Sequence, residues 1–329
     1  MMAAEGTSNL SSDEQVALFR KMVLIRRIEE ALGAASLAGD LPGPVHLYVG
    51  QEAVAVGVCA HLTDRDWIAS THRGHGHFIA KDGDPKLLMA EVYGRATGIC
   101  RGRGGSMHVA DFSKGIIGAN GIVGGGIGLS TGAAFAAQLD RKGAVAVAFF
   151  GDGAANQGVL MEALNVSALW KLPLILVCEN NGFSEFSPTG TVTAGTIARR
   201  ADPFGVPGVT VDGNDIVAVW QAANAAIRRA REGHGPTLLE CATYRLRGHV
   251  EYEVTFLSKA YREKDEVEAR GKDDPILRFR DRLLSAGTAD RPALDTVEAE
   301  VAGEVAAAVA FAAAAPWPDP ATATDFMFA

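Results

Sequence analysis

The sequence predicts an α/β fold with a doubly wound, mostly parallel sheet and C-terminal helices, and three observations carry that expectation. First, the apolar runs Ala144–Phe150 and Leu174–Cys178 read as buried strands. Second, Leu160, Ala163, Leu164 and Ala168 recur between them at helical spacing, which makes a strand–helix–strand unit. Third, the polar residues of that unit, Gly151-Asp152-Gly153 and Asn180-Asn181, fall at the carboxyl ends of the two strands. Ligands of open α/β sheets bind at that edge.

Composition narrows the function classes. The 329 residues are 48% hydrophobic, enough for a substantial core in a single domain over 1–329, with a helical segment over 1–45 and C-terminal helices and tail over 275–329. A net charge of −8 argues against a nucleic-acid partner. Cys59, Cys100, Cys178 and Cys241 are scattered without CxxC spacing, as expected of reduced thiols and no zinc site. No apolar run reaches membrane-spanning length, and Met1–Ser8 lacks a basic or Arg-rich targeting pattern, so a cytoplasmic protein is expected.

Taken in order, Ser12-Asp13-Glu14-Gln15 reads as a capping box opening a helix whose inner face is Leu18, Met22, Ile25 and Leu32. Arg26-Arg27 and Glu29-Glu30 read as solvated charge, and Gly39–Pro44 ends the segment. A lone histidine after a Pro-Gly turn, such as His46, is usually structural, and Gln51-Glu52 are expected to start a helix over 53–62. His72-Arg73-Gly74-His75-Gly76-His77 invites a metal reading. Its spacing suits no single helical face and it has no adjacent acidic ligand, so Arg73 reads better as a bidentate phosphate donor.

Residues 94–128 hold 12 glycines in 35 positions with little periodicity, and so long an irregular segment is usually functional. A small-residue helix is expected over 129–139, and Glu162 in the helix after Gly153 reads as a surface or interface residue. Phe183–Phe186 reads as a loop, Thr189–Arg200 as a loop leading to a short helix, and Gly208–Gly213 as a strand and turn. Asn214 is expected to cap a helix over 216–231, and Thr237–Thr243 to form the last core strand. Tyr244-Arg245-Leu246-Arg247-Gly248-His249 then sits at that strand's carboxyl end, where the bland reading is a basic surface turn. Tyr261–Asp274 reads as a charged mobile segment, followed by an amphipathic helix over 275–285, an Ala-rich helix over 302–315, and a docking apolar tail, Phe326-Met327-Phe328.

The pattern Gly151-Asp152-Gly153, 26 intervening residues, then Asn180-Asn181 suits a divalent cation carrying a diphosphate. Mg²⁺ takes near-octahedral oxygen ligands, commonly one or two carboxylates with phosphate oxygens and water. Asp152 offers a carboxylate, Asn181 an amide oxygen and the following backbone a carbonyl, while Gly151 and Gly153 let a backbone approach phosphate. A tight βα turn whose Asp caps a helix is the structural alternative. Five matched positions at one fixed gap favour the ligand.

This pattern resembles the thiamine diphosphate motif. The wider run Gly151–Gly158, with Ala168-Leu-Trp-Lys-Leu-Pro173 and Cys178-Glu-Asn-Asn181, resembles the α subunits of E1 components of 2-oxo acid dehydrogenase complexes and the related acetoin dehydrogenases, from about Leu18 to the C-terminal tail. The resemblance implies thiamine diphosphate and Mg²⁺ as cofactors. Asp152, Asn181 and the Phe183 carbonyl would bind the metal. Arg73 and Arg245 would meet the diphosphate, with His72 where the family often has tyrosine; Gly151, Gly153 and Ala154 would lie against the cofactor. Gly118–Gly126 resembles the loop around the aminopyrimidine, where Gly121 and Val123 would give backbone hydrogen bonds, and Gly125, Gly126 and Gly128 lean toward the acetoin-type pattern.

By the same resemblance, His46 and His249 are active-site histidines, a role that suits a group titrating near neutrality, and His75 lies near the site entrance. The cofactor-activating glutamate of the family belongs to a separate β subunit, so an α2β2 assembly and a lipoyl-bearing acyltransferase acceptor are implied. Val250-Glu251-Tyr252-Glu253 departs from the family: Val250 replaces a regulatory serine, which excludes kinase control there, and two extra carboxylates are placed near the entrance. The reaction implied is cleavage of acetoin or a 2-oxo acid with transfer of the acyl unit, acetoin dehydrogenase being favoured. A transketolase-like or acyloin-forming transferase using the same cofactor is the alternative, and a non-catalytic assembly subunit a third reading.

Overall fold

Six strands form one sheet: β1 (Trp67–Ala69), β2 (Ile116–Gly118), β3 (Ala146–Gly151), β4 (Leu174–Asn180), β7 (Gly208–Asp212) and β8 (Thr237–Ala242). Their order is β2-β1-β3-β4-β8-β7, and every neighbouring pair is parallel. Strands β5 (Phe183–Ser184) and β6 (Ser187–Pro188) make a separate antiparallel hairpin. This computed structural model describes residues 10–325, so Met1–Ser8 and the tail Phe326-Met327-Phe328 lie outside the described residues.

The side-chain period of two sorts the central strands between two cores. Ala146, Ala148, Phe150, Leu174, Leu176 and Cys178 face a core shared with α5 (Gly125–Asp140) and α6 (Gly158–Trp170). Val147, Phe149, Ile175 and Val177 face the other, larger core. Helices α1 (Ser12–Ala38), α2 (Glu52–Cys59), α3 (His75–Ala80), α4 (Pro85–Val92), α8 (Ile216–Arg231), α10 (Pro275–Ser285) and α11 (Arg291–Ala314) contribute there. Burial on both faces is why these strands read as continuous apolar runs rather than alternating ones. The short α7 (Thr189–Val192) and α9 (Lys264–Gly271) flank the carboxyl edge. Strand order reverses between β1 and β3, which puts the ligand crevice of a doubly wound sheet beyond their carboxyl ends.

Several expectations shift by a turn or change character. The capping box belongs to Ser11 and Glu14, one residue earlier than Ser12 and Gln15, and the helix closes on Gly39 at φ 80°. Asp215, not Asn214, caps α8; the Asn214 amide instead reaches Thr243 and Asp273. Helix α5 begins at Gly125 rather than Leu129, and α11 at Arg291 rather than Ala302. The 183–186 stretch is a hairpin, and 264–271 is helical with Tyr261 anchored by its hydroxyl.

Glu29 is not solvated but fully buried, and Arg26 joins buried Glu52 (2.6 Å) and Asp274 (2.8 Å) in a network tying α1, α2 and α10. Breaking a buried pair of this kind costs about 3–5 kcal/mol, because the surviving charge is left unpaired. Polar residues inside a helical pattern look solvated in sequence whenever their partner lies elsewhere in the chain. Among the described residues no helix is long and apolar enough to cross a membrane.

Candidate functional site

A cleft of about 310 Å³ opens at the reversal of strand order. Residues following β1 (Ser70 to Arg73), β3 (Gly151 to Ala154), β4 (Asn181) and β8 (Arg245, His249) line it, closed by His46 on one side and Asn120 to Gly124 on another. The residues expected to be catalytic or to bind cofactor and metal meet in one place: His46, His72, Arg73, Gly121, Val123, Gly151, Asp152, Gly153, Ala154, Asn181, Phe183, Arg245 and His249. His75 does not. It is buried beneath the cleft, its Nδ1 3.1 Å from Glu29 and its Nε2 accepting from the Ser106 hydroxyl at 2.9 Å, which corrects its placement near an entrance.

One wall is cationic. Arg73 and Arg245 are 3% and 1% exposed, and neither has a carboxylate within ion-pair reach among the described residues. Burial, then mutual repulsion, lowers Arg73 to about 9. Arg73 donates to the Leu47 carbonyl and to His249 Nδ1 (3.0 and 3.1 Å). Arg245 donates to His249 Nδ1 (3.2 Å), to the Glu185 carbonyl (2.9 Å) and to the Tyr261 hydroxyl (2.7 Å). Glu185 makes that contact from a left-handed backbone, φ 56°, uncommon for a residue with a Cβ.

Beside them His46 stands edge to face with His72 and His249, which are tilted against each other, ring centroids being 4.7 to 5.4 Å apart. By spacing alone the three could hold a metal, since one ligand atom from each lies within 4.8 Å of the others. The two guanidiniums against His249 make this a place for an anion instead. Burial first, and then Arg73, depress His46 to about 3 and His249 to about 2, and the same causes push His72 well below its usual value. All three imidazoles are therefore neutral at physiological pH.

The same cleft carries oxygen donors. Asp152 is 2% exposed, burial raises its carboxyl above the usual range, and it accepts a hydrogen bond from the Thr189 hydroxyl. Asn181 donates through Nδ2 to Gln51 Oε1 (2.9 Å), which fixes its other end as oxygen; that oxygen accepts from the Phe183 N–H (3.1 Å). Gly151 has open space where a Cβ would point, and a Cβ on Gly153 would collide with Ser184. Glu162 is exposed and outside the cleft.

The observation that decides what the cleft holds is a set of buried polar atoms without partners. His46 Nδ1, His72 Nε2 and Arg245 Nε are shielded from solvent and bond to nothing among the described residues. Native proteins rarely leave such groups unsatisfied, so a polar ligand is the physical expectation. A family model described as "Dehydrogenase E1 component" matches residues 20–321. The chain belongs to that family.

Among its relatives, the acetoin:2,6-dichlorophenolindophenol oxidoreductase subunits alpha of Bacillus subtilis (strain 168) and Cupriavidus necator are each 49% identical to it, over 97% of this chain and 94% and 96% of theirs. A pyruvate dehydrogenase E1 component subunit alpha from Rhizobium meliloti is 41% identical over 96% of this chain and 90% of its own. The chain is an E1 α subunit of an oxidoreductase, and the E1 family works with thiamine diphosphate.

The E1 cleft also contains residues that sequence reasoning passed over. Gln51 was legible only as a helix start, yet it orients Asn181. Glu179 lines the floor, buried, holding the Tyr48 hydroxyl and His77 Nε2 (3.1 Å). A charge inside an apolar strand run, Cys178-Glu179, was the available signal. Glu251 and Glu253 are not free carboxylates at an entrance: Glu251 is paired with Arg247, and Glu253 is buried against the His249 backbone N–H. For Tyr261, 16 residues beyond Arg245 in a charged segment, the sequence carried no signal.

Proposed function

We propose that this chain is the α subunit of an acetoin-cleaving E1 oxidoreductase working with thiamine diphosphate and Mg²⁺, and that residues 1–329 act as a single cofactor-binding unit. The single observation that carries the cofactor reading is the pair of buried, carboxylate-free guanidiniums lining the same cleft as Asp152 and Asn181. Two cations in one cleft with a desolvated carboxylate suit a diphosphate bridged to a divalent metal. Arg73 and Arg245 would grip the diphosphate with His72 beside them, and the glycine backbone of 151–153 with Ala154 would lie against it. Asp152, Asn181 and the Phe183 carbonyl would hold Mg²⁺, and the backbone of Gly121 and Val123 would orient the aminopyrimidine.

Bound thiamine diphosphate supplies the electron sink that lets a C–C bond next to a carbonyl break. His46 and His249, set edge to face at the substrate end, would bind the carbonyl oxygen by hydrogen bonds. The activating carboxylate would come from a β subunit, as α2β2, and the acyl unit would pass to a lipoyl-bearing acyltransferase. The three buried thiols, Cys59, Cys178 and Cys241, suit a reducing cytoplasm. Acetoin is preferred over pyruvate because both relatives at 49% identity carry acetoin in their names.

The test is co-purification with a candidate β chain, followed by calorimetry with thiamine diphosphate plus Mg²⁺ and acetoin-dependent reduction of an artificial acceptor. Acetoin turnover is expected, lost in Asp152→Ala together with cofactor binding. Activity confined to branched 2-oxo acids would overturn the substrate. Acceptor-independent C–C ligation would favour a transferase, and binding unchanged in Asp152→Ala a non-catalytic subunit.

A further inference from the structure

The unusual segment Val250–Glu253 does its work behind His249. The Glu253 carboxylate, 8% exposed, accepts from the His249 backbone N–H and, at 3.3 Å, from the Tyr261 hydroxyl. That hydroxyl in turn accepts from Arg245 Nη2 (2.7 Å) and lies 3.2 Å from the His249 N–H. The arrangement needs Gly248, since a Cβ there would collide with the Glu253 carboxylate. Phe186 packs edge-on against His249 (5.4 Å) and Tyr261 (5.1 Å), closing the other side. With Arg73 at the ring Nδ1, the backbone and ring of His249 are thus held from four chain segments: 73, 183–188, 245–253 and 261.

The ring has only one way to satisfy its neighbours. Guanidiniums donate and never accept, and two of them point at Nδ1, from Arg73 at 3.1 Å and Arg245 at 3.2 Å. Nδ1 must therefore be the unprotonated nitrogen, and the proton of the neutral ring sits on Nε2. The charged and titratable groups around it are Arg73 and Arg245 at Nδ1, His46 and His72 beside the ring, and Glu253 and Tyr261 behind the backbone.

We propose that Glu253 and Tyr261 are positioning residues that hold His249 where Arg73 and Arg245 lock it as the neutral Nε2–H tautomer, making it a hydrogen-bond donor to the substrate's carbonyl oxygen rather than a base or a cationic acid. A neutral donor stabilises developing negative charge without first having to capture a proton from solvent. The idea rests on the E1 reading for the identity of the substrate, but the tautomer does not depend on it.

The experiment uses the complete α–β complex with ¹⁵N-labelled histidine, the His249 signals being assigned by their loss in His249→Gln. Nδ1 is expected at the shift of an unprotonated nitrogen from pH 5.5 to 8.5, with no titration. In Glu253→Ala and Tyr261→Phe, the signal should move toward a mixture of tautomers that titrates inside that range. Acetoin kcat should fall on the order of ten- to a hundredfold, the effect of a misplaced catalytic group, and thiamine diphosphate affinity should stay within about threefold of the unmodified complex. Glu253→Gln keeps an acceptor oxygen and should restore most of kcat. A wild-type His249 that titrates near neutrality, or variants that lose activity with the tautomer unchanged, overturn the proposal. Failure to bind thiamine diphosphate would instead sink the cofactor reading, with the tautomer still readable.

Discussion

His72 and His77 lie five residues apart in one tract and have opposite fates. His77 is fully buried and saturated: Nδ1 faces the Ser70 hydroxyl at 2.7 Å, Nε2 faces Glu179 at 3.1 Å and Tyr48 at 3.2 Å, and the ring stacks on Phe149. His75 is similarly held by Glu29 and Ser106. His72 faces the cleft with Nε2 unbonded, surrounded by His46, His249 and cations. Residue type is the same; the difference is whether a carboxylate comes with it. A histidine given a buried carboxylate is part of the scaffold, and one given only cations waits for a ligand that brings negative charge.

Removing the cations or the proposed metal ligand should break the comparison most completely. Arg73→Ala, or Asp152→Ala, is expected to weaken thiamine diphosphate binding by more than about a hundredfold, as loss of a charge-assisted bidentate contact predicts. Calorimetry on the α–β complex measures it, and an unchanged affinity would sink the assignment of this wall.

The two kinds of histidine should separate next. Replacing His249 with Ala should lower kcat about 10²- to 10³-fold, the usual worth of one positioned hydrogen-bond donor to developing negative charge, with unfolding midpoints nearly unmoved. His77→Ala should do the reverse, costing about 1–3 kcal/mol because buried Glu179 keeps the Tyr48 hydroxyl but loses its other partner. Urea melts and steady-state kinetics on both variants settle this. If both lose activity and neither loses stability, the division between scaffold and site is wrong.

A pH effect sharpens the same contrast. His46 and His249 have folded values near 3 and 2, below the unfolded value near 6.5. The unfolded chain therefore takes up protons first, so stability is fully present above about pH 6.5 and is lost as pH falls from there toward the folded values. Denaturant midpoints between pH 7 and 5 should decline, and inorganic pyrophosphate should reduce the decline by offsetting the guanidinium charges. A flat profile would mean that the cleft histidines are solvated. The smallest effect belongs to Ser106→Ala, which removes one neutral partner of His75 and should cost about 0.5–1.5 kcal/mol with kcat unchanged.

Much of the site was legible because its residues carry local signatures. Gly151-Asp152-Gly153 and Asn180-Asn181 are adjacent to strand runs whose carboxyl ends can be read directly. Arg245 gained meaning from the same rule, standing just beyond a strand, and Arg73 from its guanidinium's fit to phosphate. What stayed hidden were partners set by an irregular turn or by long separation. Glu251 and Glu253 looked like entrance carboxylates because only the turn at Gly248 folds Arg247 and the His249 N–H, each four residues away, back onto them. Glu29 looked solvated until His75, 46 positions away, arrived beside it. Asn214 looked like a helix cap, yet Asp215 took that position and left its neighbour to bridge Thr243 and Asp273.

The sequence by itself determined the architecture and the kind of ligand. Period-two burial, helical spacing and strand-end polar motifs are properties of neighbouring residues, and physical chemistry acts on them before the chain closes. Only the tertiary structure decided which histidines are free. That choice depends on which distant carboxylate or guanidinium reaches each ring, and on how little water remains to screen the contact once both are buried. The tract 72–77 offered three equivalent imidazoles, and the fold gave partners to two of them and left one facing the cleft.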